Sequence, residues 1–149
     1  MKSSYQQTKR FMKILRLVLQ ILIGGILVAS ALGKALDLAG FADVLGTYQA
    51  FPKSALPFIA FAVTMFEFFL GTWIFSGWRL QASAFTAALM NLGYAVWMTV
   101  TLLRGLQLTN CGCFGVFFPR PLTWVSPLED LVMVALCVLL AYGARRERA

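Results

Sequence analysis

Histidine is absent from this 149-residue chain, which removes the commonest general base and metal ligand at neutral pH. Cysteine occurs only three times. Three thiols without histidine fall short of the four ligands of a structural zinc site. They also fall short of the four thiols that a relay between two cysteine pairs would use. Charge is scarce: 13% of residues are charged, against about 25% in a soluble domain. An ordinary soluble domain is therefore excluded. Thirteen basic residues outnumber six acidic ones, for a net charge of +7. That balance invites a nucleic-acid reading, but no recognition motif accompanies it. Nine of the thirteen are Lys2, Lys9, Arg10, Lys13, Arg16, Arg79, Arg145, Arg146 and Arg148, at the chain ends and one short turn. Basic clusters flanking apolar spans set topology and attract anionic headgroups. The expected partner is the lipid bilayer, and nucleic acid is not expected.

What is abundant is apolar sequence: 60% of residues are hydrophobic and the mean hydropathy is +0.77. Leu17–Leu32 is uncharged, Ser54–Trp78 carries only Glu67, Leu80–Leu103 carries no charge, and a shorter run follows Pro127. About 20 apolar residues in helix cross a bilayer core of roughly 30 Å. The expected fold is all-α, a four-transmembrane-helix bundle with spans near 14–33, 57–76, 81–103 and 127–143, in one membrane domain over 1–149. Residues 1–16 read as a basic polar leader. The first run has a rival reading as a signal peptide, with Ala29-Ser30-Ala31 as its cleavage site. Gly25, Ala29 and Gly33, a small-residue face for helix packing, favour a retained helix. In the first loop Phe41, Val44, Leu45 and Tyr48 predict a short amphipathic helix at the membrane surface, closed by Pro52. Lys34 and Asp37 there read as a solvated pair. The turn Ser76–Arg79 predicts an antiparallel hairpin of the second and third spans. Ser126, Pro127 and Glu129 give the last span an N-cap, a first-turn proline and a capping-box acid.

Four spans put both termini on one side. The basic residues divide nine against four (Lys34, Lys53, Arg104, Arg120), which places both tails in the cytoplasm of a bacterial inner membrane. The loop 104–126 then faces outward, into an oxidising compartment.

That loop holds Asn110-Cys111-Gly112-Cys113-Phe114-Gly115. Three readings stand for the cysteine pair. Copper(I) needs only two thiolates with thioether help, and Met98 lies toward that end of its helix. A static disulfide or inert thiols form the second, although so small a ring makes a weak staple. The third is a reversible dithiol/disulfide, since a strained, exposed disulfide exchanges readily and Gly112 can make the turn. Phe114, Val116, Phe117, Phe118 and Trp124 either tuck the loop onto the membrane or form a surface for a partner or a quinone ring. Glu67 lies mid-span, where a charge costs at least about 2.5–3.5 kcal/mol. Counted from the shared turn, Glu67 and Asn91 lie at equal depth, about 14–15 Å. They are expected to meet, as a structural bond or as part of a proton relay. Cys137, about 15 Å below the surface, reads as a buried, inert thiol.

These residues resemble the MauE family of the wider DoxX-like group. The resemblance rests on Cys111-Gly112-Cys113-Phe114-Gly115 with Asp130, on Gly33-Lys34 with Phe41, Leu45, Tyr48 and Pro52, and on Glu67 with Gly71. It implies periplasmic thiol chemistry with a thioredoxin-like, MauD-like partner during maturation of a disulfide-rich protein. Through the wider group it implies quinone as a candidate cofactor. In that scheme Cys111 and Cys113 exchange disulfides with the partner, and Glu67 handles the accompanying proton. A non-catalytic assembly factor or anchor is the competing reading.

Overall fold

The computed structural model describes residues 2–148, with side chains from 5 to 145. Regular structure among them is helical throughout. In order come α1 (Lys2–Ala35), α2 (Leu38–Thr47), a 3-10 turn at Lys53–Ala55, α3 (Leu56–Ser76), α4 (Leu80–Leu103) and α5 (Val125–Arg148). The helices α1, α3, α4 and α5 are long and apolar enough to cross a membrane. The chain is a four-helix membrane bundle with one short extra helix. Large apolar side chains such as Phe58, Phe69 and Leu103 stay on the outside, where lipid tails are as apolar as they are.

Two ends differ from expectation. The basic leader is the beginning of α1, which starts at Lys2. The last helix starts at Val125, so Ser126 lies inside it and accepts from the Thr123 N–H at 3.5 Å. Pro127 remains in the first turn, where its missing N–H has no intrahelical role. Glu129 closes no capping box. It receives two bonds from Arg120, at 2.9 and 2.8 Å.

The hairpin of α3 and α4 is joined by its short turn, yet these helices pack chiefly on others: α1 against α3, and α4 against α5. Small residues explain the choice. On α1 it is Gly24 that meets Gly71 of α3, while Ala29 of the expected face is exposed. Gln20 ties the same pair together, donating to the Ile74 and Phe75 carbonyls at 2.9 and 3.2 Å. Ala84, Ala87 and Ala88 of α4 share a buried cluster with Cys137, Leu140 and Ala144 of α5.

At the other end, Asp37 caps α2 by accepting from the Gly40 N–H at 2.8 Å; it does not pair with Lys34. The apolar face of α2 turns inward. Phe41 and Ala42 are buried in one cluster with Leu56 and Ala60 of α3.

Candidate functional site

The loop after α4 folds back on itself and enters the mouth of the bundle. Leu122 N–H donates to the Leu108 carbonyl at 2.9 Å and Cys111 N–H to the Arg120 carbonyl at 2.8 Å. Asn110 organises the tip. Its Oδ1 accepts from the Gly112 N–H at 2.9 Å and its Nδ2 donates to the Gly115 carbonyl at 3.2 Å. Gly112 and Gly115 have φ of 76° and 78°, a left-handed conformation that glycine adopts without steric cost. Each also sits where a side chain would collide. A Cβ on Gly112 would meet Phe41 and Val44 of α2, and one on Gly115 would overlap the backbone of Gly33. Thus the motif's glycines set both its turns and its depth.

Two side chains then grip the cysteine backbone. Tyr48 OH donates to the Cys111 carbonyl at 2.7 Å, and Ser30 Oγ lies 2.6 Å from the Cys113 carbonyl. Cys111 is buried and Cys113 half-buried, both as free thiols. Cys113 N–H points at Cys111 Sγ, 3.4 Å away. The two sulfurs are electrostatically unequal. Cys111 is lowered to about 6, chiefly by a hydrogen bond from the Cys113 thiol, which outweighs burial; the Cys113 N–H and the Arg120 charge assist. Cys113 is pushed upward by the same bond, by burial and by the charges of Cys111 and Asp130. Both shifts favour the thiolate on Cys111 over one on Cys113.

Beneath the loop lies a buried ion pair. Lys34 Nζ is 2.7 and 2.6 Å from the Glu67 oxygens, with 3% of Lys34 and 1% of Glu67 exposed. Tyr94 OH donates to Glu67 Oε1 at 2.7 Å. Ser30 Oγ accepts from Lys34 at 2.9 Å and lies 2.9 Å from Glu67 Oε2. Its single proton can go to Glu67 or to the Cys113 carbonyl, not both. Ser30 therefore links the ion pair to the cysteine loop. Such pairing is what a charge inside a membrane span calls for.

This corrects two expectations. Lys34 is a buried ion-pair partner, not a solvated one. Asn91 does not meet Glu67: its Nδ2 donates to the Ala87 carbonyl of its own helix at 2.8 Å. Tyr94, one turn on, takes the place expected for Asn91. Ser30 and Tyr94 were not expected at the site, and Tyr48 was expected only as part of the short amphipathic helix and of the family resemblance. Two signals were there: Ser30 and Lys34 stand four apart, and Asn91 and Tyr94 three apart, so each pair shares a helix face. Cys137 is fully buried in the cluster around Ile23 and Leu70, whereas Cys111 belongs to a separate cluster with Met98 and Tyr48.

A cavity of about 620 Å³ connects these parts. Both loop cysteines, Lys34, Glu67, Asn91 and Asp130 line it, and Met90, Trp97, Met98 and Met133 supply apolar wall. Asp130 Oδ2 is buried without a hydrogen-bond partner.

A family model described as Methylamine utilisation protein MauE matches residues 12–143. Methylamine utilization protein MauE of Paracoccus denitrificans is 27% identical over 125 residues, covering 84% of this chain and 67% of that one. A glycerol-3-phosphate acyltransferase of Glaesserella parasuis serovar 5 (strain SH0165) is 30% identical over 128 residues, covering 80% of this chain and 63% of that one. The chain thus spans about two thirds of the length of these curated relatives. No solved structure matches it.

Proposed function

Because the chain belongs to the MauE family of membrane proteins, linked by name to methylamine utilisation, we propose that it exchanges disulfides through Cys111 and Cys113. The partner is a thioredoxin-like protein on the outer, periplasmic side of the inner membrane, and the exchange supports disulfide formation in exported proteins. The observation that carries this reading is geometric: two free thiols one residue apart, held so that the Cys113 N–H meets Cys111 Sγ at 3.4 Å, both lining one cavity, with the electrostatics favouring the thiolate on Cys111. Inert thiols have no use for such an arrangement, whereas exchange needs one attacking thiolate and one resolving thiol.

Cys111 thiolate attacks a partner disulfide; that S–S bond breaks, a mixed disulfide forms, and a partner thiolate leaves. Cys113 loses its proton and attacks Cys111 Sγ, forming the Cys111–Cys113 bond and releasing the second partner thiolate. The pair is oxidised by two electrons and the partner disulfide is reduced; the Cys113 proton ends on one of the partner's sulfurs and the other takes its proton from water. The reverse sense, which oxidises the partner, runs through the same mixed disulfide. We assign Glu67 a positioning role: it anchors Lys34, which donates to Ser30 Oγ, and Ser30 in turn lies against the Cys113 carbonyl.

The cavity also fits a quinone. Its walls are mostly apolar, the Tyr94 hydroxyl and the cysteine pair border it, and Met90, Trp97, Met98 and Met133 would hold the ring. When bound, such a group supplies a two-electron, two-proton acceptor for resetting the pair. The acyltransferase likeness finds less support at this site. A phosphate-bearing substrate would seek a free cation, and the cavity's Lys34 and Arg120 are engaged by Glu67 and Glu129.

Trapping tests the proposal. A Cys113→Ser variant should accumulate a mixed disulfide through Cys111, seen as a reductant-sensitive band containing a thioredoxin-like protein, and Cys111→Ser should abolish it. Full support of disulfide formation by the double serine variant would instead establish the anchor reading.

A further inference from the structure

Exchange leaves the Cys113 proton without an assigned carrier on this chain. Cys113 must be deprotonated before it can attack Cys111, and the chain has no histidine. Three carboxylates line the cavity shared with the cysteines: Glu67, Glu129 and Asp130. Glu67 is engaged on both oxygens, with Lys34 and Tyr94 on one and Lys34 on the other, where Ser30 Oγ also lies 2.9 Å away. Glu129 is held by Arg120 through both oxygens. Taking a proton at either would break an ion pair. Asp130 differs. It is half-buried, and its Oδ2 is shut off from solvent with no hydrogen-bond partner. An unpaired buried carboxylate oxygen is costly and calls for an explanation.

We propose that Asp130 accepts the Cys113 proton during exchange and returns it in the reverse reaction. The inference rests on the redox reading of the preceding subsection. The proton passes from Cys113 Sγ through the cavity, whose volume admits water, to the Asp130 carboxylate that lines it. Cys113 thiolate then forms the S–S bond to Cys111, and Asp130 passes its proton on to the departing partner thiolate. No electrons leave the sulfurs in this step. A base of this kind typically contributes about 10²–10⁴-fold.

The sign of the effect separates this role from a purely electrostatic one. As a bare negative charge, Asp130 disfavours the Cys113 thiolate, so removing it would speed resolution. As the acceptor, its removal slows resolution.

The experiment uses the full chain in lipid nanodiscs, carrying Cys137→Ala, mixed with dithiodipyridine in stopped flow. Two thiopyridone releases are read: the first from attack by Cys111, the second from resolution by Cys113. Asp130→Asn should leave the first phase at its parental rate and slow the second about 100-fold, and Asp130→Glu should recover most of that loss. An unchanged or faster second phase in Asp130→Asn overturns the proposal. So does a slow phase that Asp130→Glu leaves unrecovered, the pattern of a structural role. The first phase reports an intact loop; if Asp130→Asn loses it, Asp130→Ser takes its place. A parent with no second phase would instead refute the redox reading itself, and the proposal with it.

Discussion

Replacing Lys34 by methionine would leave Glu67, 1% exposed, without its cation in the middle of the bundle. Breaking a buried pair by removing one partner costs about 3–5 kcal/mol, because the remaining charge is uncompensated. At about 1.4 kcal/mol per tenfold, the unfolding equilibrium should shift by roughly two to nearly four orders of magnitude. Glu67→Leu should behave similarly by stranding Lys34. The double variant Lys34→Met/Glu67→Leu should recover most of the loss, since an apolar replacement of a buried pair is often neutral or stabilising. The cysteine loop gives a second readout. Without Lys34, the carboxylate competes for the Ser30 proton and draws it from the Cys113 carbonyl, 2.6 Å away, so Cys113 should alkylate faster. The assay is reversible denaturant unfolding in mixed micelles, with maleimide labelling of Cys113 in a Cys137→Ala background. Single changes costing under about 1 kcal/mol, the value of an exposed pair, would refute the argument. So would a double variant no more stable than the singles.

Three further outcomes are expected. The rate of Cys111 alkylation should follow its thiolate, falling as pH drops through about 6; a midpoint near the ordinary thiol value of about 8.5 would show that Cys113 does not activate it. Gly33→Ala and Gly115→Ala should each lower stability by about 1–3 kcal/mol and expose the cysteines to alkylation, because each methyl overlaps backbone across the helix–loop contact. Gly143→Ala, with open space around it, should be neutral or slightly stabilising in the same unfolding assay. Tyr48→Phe removes the bond to the Cys111 carbonyl; a loss of about 1–3 kcal/mol and faster Cys111 labelling should follow, and unchanged labelling would show that the bond does not hold the loop.

The sequence by itself determined the membrane class, the four spans and the short helix between the first two. Runs of uncharged residues about 20 long allow little else. It also marked Cys111, Gly112, Cys113 and Gly115 as a turn-forming thiol pair, and Glu67 as a mid-span charge in need of a partner. The identity of that partner was decided only by the tertiary structure. Depth counting placed Asn91 level with Glu67, but rise along the axis fixes height and not rotation. In helices that are apolar nearly all round and surrounded by lipid, hydrophobic periodicity gives little sign of which face turns inward. Rotation of α1 by its Gly24–Gly71 contact brought Lys34 inward to Glu67, and rotation of α4 presented Tyr94. The entry of the cysteine loop into the bundle was equally illegible in sequence. It depends on Gly33 and Gly115, 82 positions apart in the chain, meeting where neither can carry a side chain. Asp130 acquires its exceptional position in the same way: Arg120 occupies its neighbour Glu129, and Asp130 lines the cavity of the thiols with its Oδ2 lacking a hydrogen-bond partner.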